Sequence, residues 1–185
     1  IKTTQDLIAF AKANPGKVSF GSTGIGSGTH LLSEWLASAT GTKMLHVPYK
    51  GVGPSLVDLM AGRITFVFTA LTPNINLERL RPIATTGKTR DKDFPDLPTV
   101  SEAVPGVESV GWLGLLAPAR TERSILLRIS GELPTVMGTS EVQRVLKGGL
   151  DAYTTSPDEF ENIIKKEYGT WVKVAKEAGM KLQTQ

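Results

Sequence analysis

The sequence predicts an α/β fold built on a mostly parallel sheet. Three observations carry that expectation. Short apolar runs alternate with helical patterns through the first half of the chain, the order that strand-helix-strand units produce. A glycine-rich segment, Gly21-Ser22-Thr23-Gly24-Ile25-Gly26-Ser27-Gly28-Thr29-His30, joins one apolar run to one helical pattern. Residues 64–68, Ile-Thr-Phe-Val-Phe, are branched and aromatic, which suits a pleated strand.

The elements follow in order. Thr3-Thr4-Gln5-Asp6 has the form of a capping box, and Leu7, Ile8, Phe10 and Ala11 recur at helical spacing until Asn14-Pro15-Gly16 stops the helix. Residues 17–20 read as a strand. The glycine loop leads into a helix that runs to Thr40 and stops at Gly41. Residues 43–47 read as a buried strand, 48–54 as a loop and 55–61 as a short helix ending at Gly62. After the strand at 64–68 come a loop at 69–73, a weak helix, and another strand at 81–86. Beyond Gly87 the style changes. Residues 88–98 are polar and punctuated by Pro95 and Pro98. Residues 99–103 form one helical turn, and 107–116 an extended apolar run containing Trp112. From Pro118 the chain is mostly helical. Ile125, Leu126, Ile129 and Leu133 make one stripe, and Val142, Val145 and Leu146 another. Ser156-Pro157-Asp158-Glu159 starts a long last helix. That helix carries Phe160, Ile163, Ile164, Tyr168, Trp171, Val172 and Ala175 on one face and ends at Gly179.

Composition bounds the function. A chain of 185 residues suits one domain or two small ones. The net charge of +3 comes from 21 basic and 18 acidic residues, well mixed, and is too mild to argue for nucleic acid. There is no cysteine, hence no disulfide and no thiolate metal site. No run of 18 apolar residues suggests a membrane span. No signal peptide is evident, and Ile1 rather than Met at the start is expected to reflect processing, cutting or truncation.

Glycines let main-chain N–H groups approach a ligand, and a helix N-terminus presents unpartnered N–H groups with partial positive charge. Residues 21–30 therefore read as an anion seat, with Ser22, Thr23, Ser27 and Thr29 adding hydroxyls. The alternative is a tight strand-helix turn with an N-cap and no ligand. A dinucleotide fingerprint needs a third glycine where Thr29 stands and an acid after the next strand, where His46-Val47-Pro48-Tyr49 has none. A phosphate loop needs Lys-Ser/Thr after its last glycine, and that is absent. A small carboxylate or a sulfate-like ligand remains, and no cofactor is expected. His30 and His46 lack helically spaced co-ligands, so no metal is expected. His30 is expected to bond a carboxylate or to cap the loop, and His46 to face a neighbouring strand. Ser27 lies in Gly-Ser-Gly, not in a nucleophile elbow, and no catalytic residue is assigned. Ligands of open α/β sheets sit beyond the carboxyl ends of strands. The loops at 48–54 and 69–73 thus join the glycine loop, bringing Tyr49, Lys50 and Thr69; Tyr49 and Lys50 read equally as packed and surface residues.

Four motifs in sequence carry a resemblance: residues 21–31, then His46-Val47-Pro48-Tyr49-Lys50-Gly51, then Leu97-Pro98-Thr99-Val100-Ser101-Glu102-Ala103, then Gly114-Leu115-Leu116-Ala117-Pro118. Together they resemble the extracytoplasmic solute receptors of tripartite tricarboxylate transporters, the Bug family. The carboxyl end, with Ser156-Pro157-Asp158-Glu159-Phe160 and Trp171-Val172-Lys173-Val174, is similar to the family's last helix. The resemblance implies a type II periplasmic binding protein with helices on both faces of its sheet. It implies a periplasmic receptor, not an enzyme, that captures a small organic carboxylate for transporter membrane subunits. Carried over by motif, Ser22, Thr23, Gly24, Gly26, Ser27, Gly28, Thr29 and His30 form one share of the site. Tyr49 and Lys50 line the cleft or steer the anion, Thr69 is a further candidate, and Trp112 is assigned to the cleft wall. Residues 1–116 are expected to be the second, ligand-binding domain. Residues 117–185 are expected to be a helical segment returning to a first domain whose amino-terminal part is absent. With that wall missing, weak ligand binding is expected. The face bearing Phe160, Ile164 and Trp171 is expected to favour self-association, which sedimentation would report. The rival readings are the effector domain of a bacterial transcription regulator and a small-acid hydrolase.

Overall fold

A computed structural model describes residues 1–72, 75–147 and 149–180. The order of elements is α1 (Thr4–Ala13), β1 (Ser19–Ser22), α2 (Gly28–Thr40), β2 (Leu45–Pro48), α3 (Val52–Met60), β3 (Phe66–Val67), α4 (Val100–Ala103), α5 (Arg123–Met137), α6 (Ser140–Leu146) and α7 (Pro157–Glu177). The three strands form a parallel sheet in the order β2-β1-β3. The chain divides into two compact units. One holds residues up to Thr69, Ile75–Gly111 and the chain from Val172; the other holds a short stretch from Ala70 and Trp112–Trp171.

In the first unit the local signals act as expected. Thr3 caps α1, with its hydroxyl accepting from Asp6 N–H and the Asp6 carboxylate reaching back to Thr3 N–H. Gly41 ends α2 with a left-handed φ of 62°. Thr99 and Glu102 form a full capping box on α4. The central strand, β1, is buried from Phe20 on, with Phe20 and, just before the strand, Val18 at 0% exposure, and Leu36 of α2 and Ile64 are buried as well. Gly21 on β1 is required by packing: a Cβ there would lie 2.8 Å from both Ile64 Cδ1 and Val67 Cγ1.

Several expectations are corrected. The strand expected buried at 43–47 is β2, at the edge of the three-stranded sheet, with Leu45 58% exposed. The helix expected at 55–61 begins at Val52, because Pro54 falls in its first turn, where a missing N–H costs nothing. The strand at 64–68 shortens to Phe66–Val67, although Thr65 N–H still bonds Ser19 O at 2.9 Å. Residues 81–86 are not a strand. Only Thr85 pairs, in a single parallel bridge to Thr99, because a strand needs a partner along its length. The weak helix expected after the loop is a turn at 77–79. Pro73 of that loop lies outside the described residues.

In the second unit, α5 and α6 bury no residue fully, so their stripes are half-covered at most. Ser156 and Glu159 cap α7 reciprocally, as expected. Phe160, Ile163, Ile164 and Trp171 are half-buried, but Tyr168 is 71% exposed; the end of α7 belongs to the first unit, where Val172 is half-buried and Val174 and Ala175 are fully buried. The most exposed aliphatic side chains of the second unit lie elsewhere, at Leu113 (90%), Leu116 (74%) and Leu115 (68%).

Candidate functional site

The site begins where β1 ends. Gly24 and Gly26 take φ of 131° and 78°, values that side chains disfavour, and turn the chain sharply into α2. Ser27 caps that helix, its hydroxyl accepting from His30 N–H at 3.3 Å.

The loop satisfies most of its own polar groups. Thr23 N–H donates to Thr29 Oγ1 at 3.0 Å, and Thr29 Oγ1 also lies 3.0 Å from Ser27 Oγ and 3.2 Å from Thr23 Oγ1. Ser27 N–H donates to Gly24 O. Gly24 N–H donates to Ser22 Oγ, and Gly26 N–H donates to His30 Nδ1 at 3.0 Å. Among the described residues the N–H groups of Ile25, Gly28 and Thr29 have no partner within the chain. Gly28 and Thr29 are the first two residues of α2, so their N–H groups are the orphan donors of a helix start. They sit beside a loop tip whose Ile25 side chain is 82% exposed.

Ser22 and His30 lie behind this surface rather than on it, at 2% and 6% exposure. His30 caps the loop, as one of its two expected roles required, through the Gly26 N–H. His46 on β2 faces the neighbouring strand as expected, its Nε2 2.6 Å from Ser22 Oγ. Its ring also stacks on His30, with centroids 3.8 Å apart and planes 14° apart. Burial, with the charge of His30 second, pushes the His46 imidazole down to about 4.

The second loop is fastened to α3. Tyr49 donates its hydroxyl to Asp58 Oδ2 at 2.8 Å, and Arg63 donates to Asp58 Oδ1 at 2.7 Å. These bonds, Arg63 first and Tyr49 second, hold the Asp58 carboxyl below its usual range. Burial and then the Asp58 carboxylate raise the Tyr49 phenol. Tyr49 N–H also bonds Ser22 O, which ties the second loop to the first. Lys50 is exposed and Thr69 half-buried. Trp112 belongs to the second unit, where its ring meets Phe160 edge-on and its Nε1–H donates to Glu167 at 2.8 Å. The structure thus brings Ser22, Thr23, Gly24, Gly26, Ser27, Gly28, Thr29 and His30 together, with Tyr49 adjoining. The residues that sequence reasoning left out are Asp58, His46 as a stacking partner, and Ile25. A tyrosine nine residues before an acid on a helix is too common a pattern to have pointed to Asp58.

The family model for the tripartite tricarboxylate transporter family receptor matches residues 1–180. A UPF0065 protein from the tcbD-tcbE intergenic region of Pseudomonas sp. strain P51 is 35% identical over 174 residues, covering 91% of this chain and 52% of that protein. Among solved structures, R. palustris Rpa4515 with adipate aligns with a TM-score of 0.85 at 32% identity, covering 97% of this chain and 62% of that one. The periplasmic binding protein BugD aligns with a TM-score of 0.83 at 26% identity, covering 99% of this chain and 64% of that one. The fold is that of these binding proteins, as the motifs implied. The chain spans about half the length of the curated relative it matches.

Proposed function

The chain belongs to the receptor family of tripartite tricarboxylate transporters, and from that premise we propose that it captures a small organic carboxylate as part of an extracytoplasmic solute receptor. One observation carries the reading. Three main-chain N–H groups, of Ile25, Gly28 and Thr29, stand free at the junction of a strand end and a helix start. Such donors accept an anion without a neutralising cation, helped by the helix dipole. The adipate-bound relative supports a dicarboxylate. The family is one of solute receptors rather than enzymes and works in the periplasm, so we place this protein there, with transporter membrane subunits as its partners. The family match favours neither a transcription-regulator effector domain nor a hydrolase. In this reading residues 1–116 carry the ligand-binding domain and 117–185 a helical segment of the receptor's other domain.

Titration calorimetry with adipate tests the proposal, using Gly28→Pro as the control. Proline at the first helical position removes one N–H without straining the helix, and Ser27 before it already has the extended backbone that a following proline requires. Adipate should bind the natural chain saturably, and about tenfold more weakly to Gly28→Pro, the worth of one hydrogen bond to a charged group. Failure of the natural chain to bind any small dicarboxylate, or equal binding by both, would overturn it.

A further inference from the structure

Two imidazole rings stand behind the glycine loop, and its shape depends on both. Phe20 of β1 lies against them, its ring centroid 5.1 Å from that of His46 and 6.3 Å from that of His30. Two contacts fasten the stack to the loop. Gly26 N–H donates to His30 Nδ1, and His46 Nε2 meets Ser22 Oγ, which in turn accepts from Gly24 N–H. Both glycines with left-handed φ in the loop are therefore held, directly or through one hydroxyl, by a histidine. The first contact requires a lone pair on Nδ1, so the His30 proton sits on Nε2, 3.6 Å from Glu34 Oε1.

We infer that His30 and His46 are positioning residues that hold the loop in its anion-accepting shape only while both rings are neutral, so that acidification loosens the loop and weakens carboxylate binding. The inference rests on the reading of this loop as a carboxylate seat. A proton added at His30 Nδ1 replaces an acceptor by a donor pointing at the Gly26 N–H, and that bond is lost. A proton added to His46 sets a cation 3.8 Å from the face of its neighbour, beside a phenyl ring. The His46 ring, pushed down to about 4, resists that step. The elements around the stack supply few other charges. Glu34 of α2 faces His30; Asp58 of α3 is committed to Arg63 and Tyr49; β1 and β3 contribute Phe20 and Phe66. A positive ring behind the seat also attracts an anion, but through intervening backbone and near solvent that gain is small beside the loss of fixed donors.

The experiment follows the Gly24 and Gly26 amide resonances and the histidine ring signals of the ligand-free chain from about pH 7.5 to about pH 4, spanning histidine's range. Both amides should move with the ring midpoint. In His30→Asn a side-chain oxygen replaces Nδ1 as acceptor and carries no titrating proton, so the Gly26 amide should stay still. Adipate affinity is then compared between the two proteins at the same pH, which cancels the ligand's own protonation. From about pH 7.5 to the acid end of that range, the natural chain's adipate affinity should fall about tenfold further than that of His30→Asn, whatever the two affinities are at about pH 7.5. A Gly26 amide that stays put while the rings protonate, or identical pH profiles of affinity, would overturn the inference. If the amide titrates as described but neither protein binds adipate, the stack's hold on the loop is supported and the carboxylate reading falls instead.

Discussion

A single hydroxyl, that of Ser22, decides how the glycine loop is held. It is 2% exposed and touches His46 Nε2, Gly24 N–H and Gly24 O. Through it a histidine on β2 reaches the backbone at Gly24. The consequence shows in stability. The unfolded chain takes a proton on His46 near its ordinary 6.5, whereas the folded chain resists until about 4. The unfolded state therefore binds more protons across that window, and folding stability falls as pH drops from about 6.5 toward about 4. Urea unfolding at several pH values should show this decline, and His46→Gln should flatten it while still offering Ser22 a partner. An equally steep decline in the variant would assign the effect to another group. The glycines, the hydroxyls and the helix start were legible because they are contiguous in the sequence. The stack was not, because His46 comes to Ser22 only through the β1-β2 register, in which Phe20 pairs with His46 and Ser22 with Pro48. One strand slipped by a residue would turn His46 to the other face.

At the scale of elements, the sheet positions the site and Gly21 allows the sheet to be covered. α3 packs against β1 and β3 only because β1 presents no side chain there; a Cβ would meet Ile64, Val67 and, at 3.2 Å, Ser55. Gly21→Ala should therefore destabilise the chain by about 1–3 kcal/mol, the usual cost of overpacking, as read from the midpoint of urea unfolding. An unchanged midpoint would show that α3 can shift without penalty. Helix limits were legible where caps are local: Thr3 with Asp6, Ser27, Gly41, Thr99 with Glu102, and Ser156 with Glu159. Strand limits were not. Residues 81–86 have strand composition, yet among the described residues only Thr85 forms a bridge and Thr86 accepts a single bond, from Ser109 N–H, since pairing depends on a neighbour that composition cannot name. The start of α3 was misplaced because Pro54 looks like a helix boundary and is a first-turn proline instead.

At the scale of the molecule, the glycine loop, the loop at 48–54 and Thr69 belong to one compact unit, whereas the stretch from Ala70 and Trp112 belong to the other. The order of motifs along the chain was enough to indicate the family, because each motif is a loop or cap with its own local reason to exist. Exposure was harder to read. Phe160 and Trp171 of α7 are half-buried and Tyr168 is exposed, while Leu113, Leu115 and Leu116 stand open in a run whose sequence looks like core. Hydrophobic pattern reports that a face will be covered, but not by what. The account as a whole turns on free main-chain donors at the end of β1. Its most direct test is an adipate titration read at every backbone amide by NMR. The account predicts that the largest shifts fall on Ile25, Gly28 and Thr29; saturable shifts confined to other residues, with these three unmoved, would contradict it.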